Sequence, residues 1–258
     1  MARIHPTAVV HPKAELAEGV EIGAYSIVGE HVRIGCGTTV GPHTVITGRT
    51  RIGARNRIFQ FASIGEVNQD LKYRGEETRL VIGDDNTIRE FVTMQIGTVT
   101  GRSETVVGSR NLFMVYCHVA HDCEIGDDCI LANAATLAGH IRVENAAIIG
   151  GLVGIHQFCR VGTMAIIGGC SKVVQDIPPY MMADGHPARV CGVNLEGLRR
   201  RNLPRKAVAE IKAAHKTLFH SSLNVTQAVA SLRSEYPASA YVGSIVGFIE
   251  SSSRGIAR

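Results

Sequence analysis

The chain has no tryptophan, only 5% aromatic residues, and no apolar run near the roughly 20 residues a membrane-spanning helix needs. Its longest aliphatic stretch, 146–155, is interrupted by glycines and stops at His156. The N-terminus, Met1-Ala2-Arg3-Ile4-His5-Pro6, has no apolar signal core. There is no Cys-x-x-Cys pair, and the seven cysteines are odd in number, so neither a disulfide framework nor a zinc ribbon is indicated. These absences point to a soluble, reduced, cytoplasmic protein with no stable membrane insertion. Disorder is excluded too, because 45% of the 258 residues are hydrophobic and can offset the entropy of ordering by burial. The net charge of +4 is uneven: Glu196–Arg258 holds ten Lys/Arg against four acids.

What is abundant is glycine, 28 residues of it, set among aliphatic residues that recur every sixth position. Counting in sixes from Ile4 to Ile64 gives eleven positions, all Ile, Leu or Val. Ile82, Ile88 and Met94 keep that phase after an interruption, and a second run of twelve, Val107 to Val173, starts one residue out of phase. A period of six is neither the 3.6 of a helix nor the 2 of an amphipathic strand. It fits a short strand followed by a corner, with the residue after the aliphatic one, often glycine, making the turn. Such hexads wind into a parallel β-helix, three to a coil, with rungs about 4.8 Å apart. Cys117, Cys123, Cys129 and Cys159 sit two residues before an aliphatic position, where a small side chain fills the interior. From Pro178 the period disappears, and helices are predicted at 205–216, 224–232 and 240–249. The chain therefore reads as mainly β: a triangular prism over 1–185 with an inserted loop near 66–78, then a linker and small α-helical domain over 186–258.

Beside His118, the histidines His121, His140 and His156 belong to hexads one coil apart, which predicts these three stacked on one side of the prism. A lone histidine in a turn needs no role; three in one column beside Asp122 ask for one. Two chemistries fit. His118-x-x-His121 with a neighbouring histidine suits zinc, and a histidine of near-neutral pKa suits proton abstraction from a hydroxyl. No Gly-x-Ser-x-Gly nucleophile motif occurs, so a covalent intermediate is not indicated.

Several segments carry a closer resemblance: Phe59–Glu66, Gln69-Asp70-Leu71-Lys72-Tyr73, His118–Cys123, Leu137–His140, Val153–Cys159 and Asn194–Arg201. Together they resemble the UDP-N-acetylglucosamine O-acyltransferases of lipid A synthesis, hexapeptide-repeat enzymes of left-handed β-helix fold that are usually homotrimers. The resemblance implies transfer of a 3-hydroxyacyl chain from acyl carrier protein to the sugar's 3-hydroxyl, with no cofactor, no metal and no covalent intermediate. It implies His121 as general base, Asp122 orienting it, Gly139 N–H as oxyanion donor and His140 beside it. Asp70, Lys72 and His118 would hold the acceptor sugar and Gln69 the acyl 3-hydroxyl. His156, Gln157, Asn194, Glu196, Arg200 and Arg201 would meet the uridine diphosphate. Gly168 and Gly169 would floor an acyl groove. The basic residues Arg199, Arg201, Arg205, Lys206, Lys212 and Lys216 suit an acidic carrier protein better than nucleic acid, since no aromatics interleave them. Where the family usually reads Thr-Ile-His-Arg-Gly-Thr, this chain has Thr93-Met94-Gln95-Ile96-Gly97-Thr98. Gln95 therefore opens a second acceptor, the 3-amino analogue of the sugar nucleotide. A zinc-dependent lyase of carbonic anhydrase type on the same fold remains the alternative from another class.

Overall fold

A computed structural model describes Met1–Arg258 throughout. Most hexads end in a two-residue strand, such as Glu21–Ile22 or Arg142–Val143, whose second side chain is buried. Each strand pairs in parallel with the strand one coil away, so that Ile22 lies beside Val40 and Ile130 beside Ile148. Three sheets of 11, 9 and 8 strands result, here called the first, second and third faces, beginning at Arg3–Ile4, Val9–Val10 and Glu15–Leu16. They close into a left-handed parallel β-helix. The aliphatic columns merge into one core of 42 buried residues along its axis. Burying each Ile, Val or Leu is worth about 1.5–3 kcal/mol, so the repeat itself supplies the stability.

The corner differs from the sequence reading. It is turned by the residue three past the aliphatic one, in the left-handed region: φ is +57° at Tyr25, +56° at His43 and +61° at His140. Gly23, Gly35 and Gly41, which follow the aliphatic residue directly, lie outside that region; a Cβ there would come within 2.6–2.7 Å of the next coil's backbone. Close approach of coils, not the turn, requires them. A non-glycine residue at positive φ costs roughly 1–3 kcal/mol. Along the edge between first and second faces, stacking helps offset that cost: the rings of Tyr25, His43, Phe61, Phe91 and Tyr116 succeed one another at 4.8–5.3 Å.

The edge between second and third faces carries the irregularities. One excursion leaves the strand Ser63–Glu66 and returns at Arg79–Ile82; a second leaves Thr93–Gln95 and returns at Glu104–Val107. The second excursion produces the one-residue change of phase. Asn68 is buried and its Nδ2 donates to Gly97 O at 3.0 Å, tying the two together.

The repeat's last strand is Lys172–Val173. Beyond it, Met181–Gly185 and Ala188–Val193 form an antiparallel hairpin whose first strand extends the first face. The expected boundary at 185/186 falls in that hairpin's turn. Four helices follow: α1 (Leu195–Arg200), α2 (Arg205–Phe219), α3 (Val225–Glu235) and α4 (Ala240–Glu250). They close a second core of 14 buried residues with Tyr180 and Met181. α2 and α3 run three residues further than their pattern predicts, α4 runs one further, and the hairpin and α1 are too short to show any period. No helix is long and apolar enough to cross a membrane.

Candidate active site

Past the second excursion, two successive coils place His121–Asp122 and Gly139–His140 on the edge between second and third faces. Asp122 turns the corner at φ +59° with its side chain wholly buried. Its Oδ2 accepts from His121 Nδ1 at 2.9 Å and from the Thr98 hydroxyl at 2.6 Å. Oδ1 accepts from Arg102 N–H at 2.8 Å, and Thr98 N–H reaches both oxygens at 3.1–3.2 Å. Burial alone pushes this carboxyl up, but those four donors outweigh it and bring it down to about 2. His121 thus spends Nδ1 on the carboxylate and keeps Nε2 free.

Gly139 lies against that imidazole. A Cβ would sit 2.5 Å from His121 Cε1 and 2.7 Å from Nε2, so only glycine admits the ring, and the Gly139 N–H has no protein acceptor. His140 stands edge-on to His121, centroids 5.0 Å apart, and stacks on Phe158 of the next coil at 4.5 Å. Burial lowers the pKa of His140. The same holds for His118, where the nearby His121 adds to it; His118 Nδ1 lies 2.7 Å from Thr93 Oγ1.

The predicted column of three histidines does not form. His121, His140 and His156 stand second, third and first after their aliphatic residues, and only the third position turns the corner. Phe158, not His156, therefore stacks on His140. His156 is exposed, its Nδ1 3.2 Å from Gln157 O.

A cleft of about 960 Å³ opens over this edge. The first excursion lends it Gln69, Asp70 and Lys72, and the strand Thr93–Gln95 lends Gln95. The later coils lend His118, His121, His140 and Gln157, with Leu71, Leu137 and Phe158 as apolar wall. Lys72 N–H donates to Asp70 Oδ1 at 2.9 Å and Asp70 N–H to Asn68 Oδ1 at 3.1 Å, which shapes the excursion over the cleft. Gln95 is buried and its Oε1 has no hydrogen-bond partner. His121, Asp122 and His140 bring ligand atoms within 4.8 Å of one another. Zinc usually takes three free protein ligands, whereas both oxygens of Asp122 are already committed to four donors. The arrangement suits proton transfer.

Family models match two parts of the chain: "Bacterial transferase hexapeptide (six repeats)" over 104–139 and "Udp N-acetylglucosamine O-acyltransferase; Domain 2" over 176–257. The acyl-[acyl-carrier-protein]–UDP-N-acetylglucosamine O-acyltransferase of Herminiimonas arsenicoxydans is 52% identical over 262 residues, covering 100% of both chains. That of Thiobacillus denitrificans is 54% identical over 258 residues, again covering 100% of both. The chain belongs to this family of O-acyltransferases. The crystal structure of the UDP-N-acetylglucosamine O-acyltransferase of Moraxella catarrhalis superposes with a TM-score of 0.96 at 42% identity, covering 99% of each chain.

Not every residue suggested by the likeness to these O-acyltransferases lines the cleft. Asn194 is buried and occupied: its Oδ1 caps α1 by accepting from Gly197 N–H at 3.0 Å, and its Nδ2 donates to Met164 O at 2.8 Å. Glu196 lies 2.7–2.9 Å from the Arg199 and Arg200 guanidiniums, which bring its carboxyl down to about 2. Arg200 and Arg201 are exposed. Gly169 sits at the edge between first and second faces with Gly151 O 3.3 Å from an ideal Cβ. The sequence assigned no role to Asn68, Thr93, Thr98 or Phe158. Each serves through a neighbour 25 or so residues away or in the next coil, a relation that local spacing does not display.

Proposed function

We propose that the protein moves a 3-hydroxyacyl chain from the thioester of an acyl carrier protein to the glucosamine 3-oxygen of UDP-N-acetylglucosamine, the first step of lipid A synthesis. The observation that carries this is His121, held through Nδ1 by a buried carboxylate, with its free Nε2 beside Gly139 in a cleft large enough for a sugar and a thioester. Nε2 takes the proton of the 3-hydroxyl as that oxygen attacks the thioester carbon. The Gly139 N–H receives the oxyanion, a contact typically worth about 3 kcal/mol. Collapse breaks the carbon–sulfur bond, and the imidazolium returns its proton to the leaving thiolate. Asp70, Lys72 and His118 bind the sugar, Gln69 the acyl hydroxyl and Gln157 the nucleotide.

His156, Glu196, Arg200 and Arg201 meet the uridine diphosphate from a neighbouring copy in a homotrimer, the arginines at its phosphate oxygens, which explains why they lie off the cleft of their own chain. Asn194 acts through α1, which it caps. In this division the prism, 1–185, carries the chemistry, and 186–258 carries nucleotide and carrier recognition. The reaction runs in the cytoplasm, where its sugar nucleotide and acyl carrier substrates are found.

A second acceptor is favoured by one feature. Gln95 borders the cleft and its buried Oε1 has no partner; once its amide turns into the cleft that oxygen accepts a donor, and a 3-amino group offers more N–H donors than a hydroxyl offers O–H. A mass-spectrometric assay with a panel of acyl-carrier thioesters and both acceptors decides between them. His121→Ala should lower kcat by roughly 10²–10⁴ with either. A variant keeping a tenth of wild-type activity sinks the base assignment, and wild-type protein that acylates neither sugar sinks the function.

A further inference from the structure

We propose that Thr98 is the positioning residue that assigns the Asp122 carboxylate to His121 and withholds it from His140. The inference rests on the acyl-transfer reading and deepens it. Asp122 Oδ2 lies 2.9 Å from His121 Nδ1 and 3.9 Å from His140 Nδ1. A carboxylate so placed has two imidazoles within a small side-chain rotation, and only one of them is the base.

Thr98 removes the choice. Its hydroxyl donates to that same Oδ2 at 2.6 Å, while Arg102 N–H anchors Oδ1 at 2.8 Å and Thr98 N–H bridges Oδ1 and Oδ2 at 3.2 and 3.1 Å. With these lone pairs used, the carboxylate cannot swing, and the remaining direction of Oδ2 points at His121. The donors themselves are fixed. Thr98 is buried, so water does not replace its hydroxyl. Gly101 packs so close that a Cβ would lie 2.4 Å from the carboxyl carbon. Asn68 holds Gly97 O from the first excursion.

The chemical consequence lies in the tautomer. A base that works through Nε2 carries its own proton on Nδ1 beforehand. Without the Thr98 hydroxyl, Oδ2 turns partly to His140, and His121 spends time as the Nε2–H form, which cannot accept the acceptor's proton. A residue that only folds the second excursion would impair binding and stability instead.

The test measures kcat, both KM values and histidine ¹⁵N NMR for wild type, Thr98→Val and Thr98→Ser. The hydrogen bond is made to a charged group, so Thr98→Val should lose about 10- to 100-fold in kcat. KM should stay unchanged and Thr98→Ser should restore most of the loss. The spectra should show His121 as Nδ1–H in wild type and a new Nε2–H fraction in the valine variant. Wild-type kcat in Thr98→Val with an unchanged tautomer overturns the proposal. So does a serine variant as impaired as the valine one, because packing then decides. If Thr98→Val does not fold, Thr98→Cys, a much weaker donor, takes its place under the same criteria. The two readings fail separately: absence of acyl transfer by wild type defeats the function, whereas the tautomer is read without turnover.

Discussion

At Gly139 the space a Cβ would take belongs to the His121 ring, and the glycine's φ lies outside the left-handed region. Its role is therefore proximity, and alanine there displaces the His121 imidazole, the base we propose, without straining the backbone. Gly139→Ala should lower kcat by about 10²-fold or more, in line with misplacement of a reacting group by an ångström, while leaving the melting temperature nearly unchanged. Equal loss of activity and stability would instead mark the position as structural. The buried cysteines illustrate the opposite case. Cys117, Cys123 and Cys129 each donate Sγ–H at 3.1–3.2 Å to the carbonyl fifteen residues on, as Ser26, Thr38 and Thr44 do with hydroxyls. Burial pushes the Cys123 thiol up to about 12 and the other two to about 11, so they are weak donors in a core and not nucleophiles.

Among the elements, the corner between first and second faces changes character along its length. Stacked rings from Tyr25 to Tyr116 give way to Ala134, Leu152 and Cys170, all at positive φ. Gly169 precedes Cys170 and does not share its φ, so the explanation that glycine is needed there for a turn fails. A Cβ at 169 meets only the Gly151 backbone, its O at 3.3 Å and its N at 3.9 Å. If the acyl chain runs along this edge, Gly169→Met blocks the space of about three to four methylenes, each worth about 0.8 kcal/mol of burial. The preferred donor should then shorten by several carbons with acceptor KM unchanged. A profile of kcat/KM against donor length that does not move refutes the ruler. On the helical side, Arg205, Lys206, Lys212 and Lys216 line α2 exposed, whereas Arg199 is bound to Glu196. The exposed basic patch therefore lies mainly on α2 with Arg201, and it is there that we propose an acidic carrier docks.

For the whole molecule, acid is the sharpest stress. Asp122 is the buried carboxylate of the site, and hydrogen bonds hold it well below the ordinary 3.8. Because the folded value is the lower one, its stabilisation is complete above about pH 4 and is lost as the pH falls toward 2. The size is on the order of 2 kcal/mol. Asp128, held down by Arg110, and Asp85, held down by Arg55, push the same way at the surface. Urea midpoints measured from pH 7 to pH 2 should fall below pH 4. Asp122→Asn should start lower and fall less steeply; an equally steep profile would mean that this carboxylate contributes nothing to acid sensitivity.

The prism was legible because its coil is 18 residues long, so that a local period in the sequence is also the spacing between touching neighbours in space. The same arithmetic identified the interior cysteines, the first excursion and the change of phase that the second one produces; the segments around His121 and His140 stood out by resemblance. It misplaced the corner, since the residue after the aliphatic one and the residue three beyond it are equally periodic. Only coordinates show which of them takes φ near +60° and aims its side chain along the edge. For that reason Phe158, not His156, is the neighbour of His140. Thr98 and Asn68 lay in excursions that have no period, and the short hairpin and α1 carry too few residues to display one. What the sequence determined by itself is the column of aliphatic residues and the chemistry-bearing histidines. What the tertiary structure decided is which of those histidines the buried carboxylate serves, because that depends on a hydroxyl from another coil brought within 2.6 Å of Asp122.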